Sequence, residues 1–184
     1  MGKPAAGQEG LRPHVVSIAE FEPDMTGHKL TAAEIGTVMH LIMEKIDFVK
    51  AVAGGIEYIE TAADHLVETG KITGEERAAV RAGKIAGFFE ASTGKRAAAA
   101  FAAGNLHREK EFILEKEIHG ENAVVQGIID CWFEEDSEIV LIDYKNSYVG
   151  YGRTVEDIKN TYRTQVGIYR EALEGKFVDR KSVV

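Results

Sequence analysis

The sequence is poor in cysteine, having only Cys131 among its 184 residues. That excludes an internal disulfide and an iron–sulfur cluster held by four thiolates of this chain. Proline is equally scarce: Pro4, Pro13 and Pro23 are the only three. All three fall in the first 23 residues, and the aperiodic opening stretch Met1 to Gly10 reads as a leader or the end of a linker. No run of about 18 or more apolar residues is present, and no basic-then-apolar leader opens the chain, so no membrane partner is expected and a cytoplasmic location is. Positive charge is also short, with 22 Lys+Arg against 30 Asp+Glu and a formal net charge of -8. Affinity for nucleic acid is built largely from phosphate neutralisation, so a free-standing binder of nucleic acid is disfavoured unless another domain supplies a basic channel. What is abundant is apolar residues, at 45% of the chain, enough to build a core for one domain of this length.

The order of patterns predicts a leader or linker over residues 1–30 and one domain over 31–184, helical from 31 to 104 and built from a sheet and a final helix from 105 to 184. Thr31-Ala32-Ala33-Glu34 has the form of a capping box, and Ile35, Val38, Ile42, Ile46 and Val49 recur at three- and four-residue spacing. They predict one helix of about five turns. Ile56, Ile59, Ala63 and Leu66 predict a second helix closed by Gly70; Thr73-Gly74-Glu75-Glu76 opens a third running to Glu90, and Lys95 to Ala103 a fourth. The register then changes. Arg108 to His119, Val124 to Glu134 and Ile139 to Lys145 read as strands joined by turns at Gly120-Glu121-Asn122 and Glu135-Asp136-Ser137, an antiparallel meander. After Gly150 and Gly152, Thr154 opens a helix carrying Val155, Ile158, Tyr162, Val166 and Tyr169. It is expected to close near Gly175, with Phe177 to Val184 beginning another strand.

Four places carry residues suited to chemistry. Asp143 and Lys145 lie two apart on a strand, so a carboxylate and an ammonium share one face. Asp130 is a lone charge in the apolar run Gly127-Ile128-Ile129-Asp130, where a carboxylate is costly unless paired or metal-bound. It either forms an ion pair with Lys145 or joins Asp143 in holding a hard cation such as Mg²⁺ or Mn²⁺. His40 lies roughly 160° from the centre of its helix's apolar stripe, which leaves it solvent-exposed or a ligand on the face of Gly36, Thr37 and Glu44. The other histidines, His14, His28, His65, His107 and His119, show no ligand spacing. Gln165 and Tyr169, spaced i, i+4, put an amide and a phenol on one helix face, to orient a phosphate or to pack on the sheet.

In sequence these features read Gly36-Thr37-Val38-Met39-His40, Gly127-Ile128-Ile129-Asp130, Asp143-Tyr144-Lys145 and Gln165-Val166-Gly167-Ile168-Tyr169. That order resembles the RecB-like branch of the PD-(D/E)XK nuclease superfamily. Leu30-Thr31-Ala32-Ala33-Glu34, Arg108-Glu109 and Val125-Gln126-Gly127-Ile128-Ile129-Asp130 resemble, more narrowly, the C-terminal nuclease module of AddA-type helicase–nuclease subunits. The likeness runs from about residue 12 to residue 175.

The resemblance implies an α/β fold of the restriction-endonuclease type, a mixed sheet with an antiparallel three-strand meander flanked by helices. It implies metal ligation by His40, Asp130, Asp143 and the Tyr144 carbonyl, with Mg²⁺ as cofactor and Mn²⁺ able to substitute. Lys145 would act with Asp143, Asp130 and Glu109 in catalysis, Glu109 being preferred over Glu111 for the upstream acidic position, and Gln165 and Tyr169 would contact DNA. Implied partners are DNA, the helicase domains of the same full-length polypeptide, and an AddB-type partner, in the cytoplasm at the bacterial nucleoid. A stand-alone phage- or Cas-type exonuclease and a non-catalytic DNA-binding module are the alternatives; the lone cysteine counts against the iron–sulfur relatives, and retention of His40, Asp130, Asp143 and Lys145 against decay. Asn146-Ser147 follow Lys145 where the family usually has Thr-Asp. Gly94-Lys95-Arg96 does not make a Gly-Lys-Thr nucleotide loop, so ATP hydrolysis is expected of sequence outside this chain.

Overall fold

A computed structural model describes residues 30–118, 121–145 and 155–181. Five helices come first: α1 (Ala32–Lys45), α2 (Phe48–Glu68), α3 (Gly74–Ala79), α4 (Ala82–Glu90) and α5 (Ser92–Ala102). Three strands follow, β1 (Leu106–Ile118), β2 (Glu121–Glu135) and β3 (Glu138–Ile142), then a long helix α6 (Val155–Lys181). Residues 1–29, His119, Gly120, Asn146-Ser147, Gly150, Gly152 and Thr154 lie outside the described residues, and the expectations placed on them lie there too.

The helix starts follow their side chains. Thr31 and Glu34 close a capping box on α1, with the Thr31 amide donating to Glu34 Oε2 at 2.7 Å; Thr73 and Glu76 do the same on α3. Several expected bounds need correction: β3 ends at Ile142, so Asp143 and Lys145 lie beyond the strand, β2 begins at Glu121 within the expected turn, and α5 begins at Ser92. The first helix stops at Lys45 instead of continuing to Val49, because Ile46 turns extended and Asp47 caps α2, accepting the Lys50 amide at 3.0 Å. Val49 therefore belongs to α2, where it is exposed. The predicted third helix is two, broken where Val80 is extended and drops its side chain into the core. The last helix passes Gly175 and takes in the segment expected to be a strand, through Lys181. One helical glycine costs only about 1 kcal/mol relative to alanine, too little to stop a helix by itself. Within α2, Gly55 at φ 54° interrupts the helical path, which leaves Ile56 on the surface instead of in line with Ile59, Ala63 and Leu66.

The sheet has the order β1-β2-β3, both pairings antiparallel, with Cys131 opposite Arg108 on one side and Ile142 on the other. No parallel strand, which a mixed sheet needs, occurs among the described residues. Asp136 and Ser137, at φ 50° and 65°, make the tight turn from β2 to β3.

Each sheet face has its own core. Helices α1–α5 cover Cys131, Phe133, Val140 and Ile142; α6 covers Ile129, Trp132, Ile139 and Leu141 with Tyr169, Ala172 and Leu173. A strand of strict period two would put Ile129 on the same face as Cys131. Instead the two point into different layers, so the pleat of β2 reverses at Asp130. Opposite it on β1, Glu109 has a left-handed backbone at φ 45° and drops out of the pairing between Arg108 and Lys110. The reversal brings an acidic residue from each strand to the boundary between the two cores.

Candidate metal centre

Asp130 and Asp143 are the only charged residues of the described chain that are buried. With Cys131 opposite Ile142, the next antiparallel step sets Asp130 beside Asp143, just past the end of β3. Asp130 Oδ2 accepts the Tyr144 amide at 2.7 Å, so β2 holds the backbone that leaves β3.

His40 reaches the same place from α1. Its Nε2 lies 2.9 Å from the Tyr144 carbonyl oxygen. A carbonyl only accepts, so Nε2 carries the proton and neutral His40 presents the bare lone pair of Nδ1. That Nδ1 lies 3.7 Å from Glu109 Oε1 and 3.7 Å from Asp130 Oδ1. His40, Glu109 and Asp130 thus offer three donor atoms within 4.8 Å of one another. His40 is half-buried in this cluster and is not the solvent-exposed residue of the simpler sequence reading; Glu111 is exposed, paired across the ladder with Ile128.

The second half of the site lies beside it. Lys145 Nζ sits 2.9 Å from Asp143 Oδ1 and 2.8 Å from Oδ2, so its partner is Asp143 and not Asp130. Gln165 on α6 donates to Asp143 Oδ1 at 3.3 Å and to the Tyr169 hydroxyl at 2.5 Å. Asp143 therefore faces Lys145 and Gln165 and stands outside the three-donor cluster. The Tyr144 carbonyl is at the site but is engaged by His40.

Burial pushes the Asp130 carboxyl above its ordinary range, partly offset by His40 and reinforced by Asp143. Burial, then the charge of Asp130, does the same to Glu109. The Tyr169 hydroxyl is raised by burial, and burial pushes the Cys131 thiol up to about 12, which leaves it a packing residue and not a nucleophile.

Two residues matter to this geometry to which the sequence reading gives no role at the site. Arg108 donates from Nη1 to the carbonyls of Met43 and Ile46 at 3.0 and 2.7 Å, tying the end of α1, and so His40, to the strand that carries Glu109. Tyr162 lies against Lys145; it reads in sequence as one more apolar-stripe residue of α6, although it stands three before Gln165. That spacing was the available signal.

Most of the chain resembles known proteins. The profile of the PD-(D/E)XK nuclease superfamily matches residues 13–182. The chain belongs to this superfamily. Among curated relatives it is 39% identical over 168 residues to the AddA component of the ATP-dependent helicase/nuclease of Thermoanaerobacter sp. (strain X514), covering 84% of this chain and 13% of that protein. It is 40% identical over 168 residues to the protein of the same name from Clostridium novyi (strain NT), covering 83% and 13%. To that from Alkaliphilus metalliredigens (strain QYMF) it is 39% identical over 173 residues, covering 88% and 14%. The chain thus spans a small part, 13–14%, of the length of these relatives.

For a PD-(D/E)XK nuclease the donor set is chemically apt. Glu109 Oε1 is buried without a hydrogen-bond partner, and its neighbours within ligand distance of a shared point are an imidazole lone pair and a second carboxylate. The half-buried Glu109 carboxylate and the buried Asp130 carboxylate repel side by side, and a divalent cation between them removes both the repulsion and the unmet acceptor. The residues present fit such an ion. No described helix is long and apolar enough to cross a membrane.

Proposed function

We propose that the chain is a divalent-cation-dependent deoxyribonuclease domain that works within a longer helicase–nuclease polypeptide. Mg²⁺ is the cofactor, with Mn²⁺ able to replace it, and the reaction is phosphodiester hydrolysis during processing of DNA ends. The observation that carries this reading is the convergence of His40, Glu109 and Asp130 within 4.8 Å, next to the Asp143–Lys145 pair.

His40 Nδ1, Glu109 and Asp130 would hold the cation, with Asp143 and the Tyr144 carbonyl as the further donors nearest to them. When bound, the ion supplies a hydroxide near neutral pH and neutralises charge on the phosphate. Lys145 places a fixed ammonium where negative charge develops on the phosphoryl oxygens, in a largely buried setting that strengthens its effect. Asp143 orients that ammonium, and Gln165 orients Asp143. Gln165 and the Tyr169 hydroxyl form the edge at which a DNA strand meets the site.

The net charge of -8 is compatible with this work if the basic path for DNA lies elsewhere in the polypeptide. The relatives' name, a helicase/nuclease component, supports helicase domains on the same polypeptide and a companion component; a DNA substrate, an AddB-type partner and a cytoplasmic, nucleoid-associated setting belong to the same proposal. The same division of labour assigns the 31–184 region to one nuclease domain.

Calorimetry with Mn²⁺ and a cleavage assay on linear DNA test the reading. Wild type is expected to bind the ion, Asp130→Ala to lose binding, and Lys145→Ala to keep it while cleavage falls by about 100-fold or more. Equal Mn²⁺ binding by wild type and Asp130→Ala would overturn the site.

A further inference from the structure

We propose that Tyr162 is a positioning residue for Lys145, its ring holding the ammonium at the site from the same helix face that carries Gln165 and Tyr169. The inference rests on the hydrolytic reading above and adds a residue to it. Lys145 Nζ lies 4.9 Å from the centre of the Tyr162 ring, within the range of cation–π attraction. Among the described residues the other partner of that ammonium is Asp143, at 2.8 Å, and the lysine side chain is only 19% exposed. Water therefore competes weakly for the charge, the condition under which a ring attracts a cation most strongly.

The placement on α6 is regular. Tyr162, Gln165 and Tyr169 are spaced i, i+3, i+7 and fall on one face. Gln165 reaches Asp143 and Tyr169 reaches Gln165, so one helix face touches both members of the Asp143–Lys145 pair. The two contacts do different work. A lysine stem has four rotatable bonds and loses much freedom when its head is fixed. A carboxylate fixes it only by spending an oxygen that a cation site also needs. An aromatic face attracts the ammonium without using a carboxylate oxygen or offering a proton acceptor. Tyr162 thus keeps the lysine head beside the scissile phosphate however Asp143 is engaged.

The test uses the full 184-residue chain. Cleavage of linear single-stranded DNA in Mn²⁺ is expected to show kcat lowered about tenfold by Tyr162→Leu, with KM changed by less than about twofold. Tyr162→Phe keeps the ring and is expected to stay within about twofold of wild type. Phenylalanines of increasing ring fluorination at position 162 keep the shape while draining the negative face, and kcat is expected to fall stepwise along the series. A readout independent of turnover is the Cε methylene of Lys145 by NMR in metal-free protein. It is expected upfield by ring current in wild type and Tyr162→Phe, and unshifted in Tyr162→Leu. A flat fluorination series, or a Tyr162→Phe variant as slow as Tyr162→Leu, overturns the cation–π role. An unshifted methylene in an actively cleaving wild-type chain overturns the pairing alone. Equal cleavage by wild type and Lys145→Ala overturns the hydrolytic reading, and the positioning role with it.

Discussion

The Asp130 carboxylate accepts the Tyr144 backbone amide at 2.7 Å, so a residue proposed as a metal ligand is also the clasp between β2 and the end of β3. The two duties separate by substitution. Asp130→Asn retains an oxygen for the amide but no charge; Asp130→Ala retains neither. Both are expected to lose the cation. Without metal, Asp130→Asn should be at least as stable as wild type, because burial penalises the charge it removes. Asp130→Ala should fall about 1–3 kcal/mol below it, the cost of a buried amide left unpaired. Urea unfolding in EDTA decides this, and equal stability of the two variants would contradict the clasp.

Much of the chain announces itself locally. The Thr31 and Thr73 caps, the stripes of α1 and α2 and the Asp136-Ser137 turn follow from side-chain chemistry within a few residues. The residues that meet at the candidate centre follow one another in the sequence as recognisable types, and Gln165 and Tyr169 share one face of α6. The reversal of the pleat at Asp130 was not legible, because it depends on Glu109 taking a left-handed backbone, which nothing in Arg108-Glu109-Lys110 signals as a glycine or asparagine would. Nor could alternation alone tell which carboxylate Lys145 would choose. That depends on Gln165 arriving at Asp143 from α6 and on His40 arriving beside Asp130 from α1, contacts more than twenty residues apart in sequence.

The carboxyls of Asp130 and Glu109 give the metal-free protein a pH dependence of known sign. Burial raises both, so the folded chain keeps protons that the unfolded chain releases. Their contribution to stability is complete below the unfolded-chain values and is lost as pH rises through the folded ones. A cation that takes the place of those protons stabilises more as pH rises. Melting temperatures in EDTA and in Mn²⁺, compared from about pH 5 to about pH 8, are expected to diverge upward in pH. A gap that stays constant across that range would count against a cation bound by these two groups.

Arg108 links the stability of the α1 end to the position of His40. Its Nη1 bonds to Met43 O and Ile46 O, and its guanidinium stacks within 5.1 Å of the Phe48 ring and 5.0 Å of the Phe101 ring. Arg108→Met keeps the apolar stem and removes two charge-assisted bonds, for an expected loss of about 2–3 kcal/mol. Because the same bonds fix α1 against β1, Mn²⁺ affinity should fall as well, though no proposed ligand has been touched. Unfolding and calorimetry on one variant check both, and a variant destabilised with unchanged affinity would show that His40 is placed by other contacts.

Gly127 offers a test of how far packing beneath α6 reaches the site. A Cβ at this position would lie 2.9 Å from two ring atoms of Phe112, and Phe112 stands edge-on to Tyr169 with ring centres 5.7 Å apart. Tyr169 in turn accepts from Gln165, which holds Asp143. Gly127→Ala must displace the Phe112 ring, and a shift toward Tyr169 would carry the disturbance to the site. An overpacking cost of about 1–3 kcal/mol is expected, with a several-fold loss of kcat. Phe112→Leu frees the space, so the double variant should recover more than either single change predicts. Additive losses in stability and rate would mean that the ring gives way without disturbing Tyr169, and that the chain of contacts from Gly127 to Asp143 is not mechanically coupled.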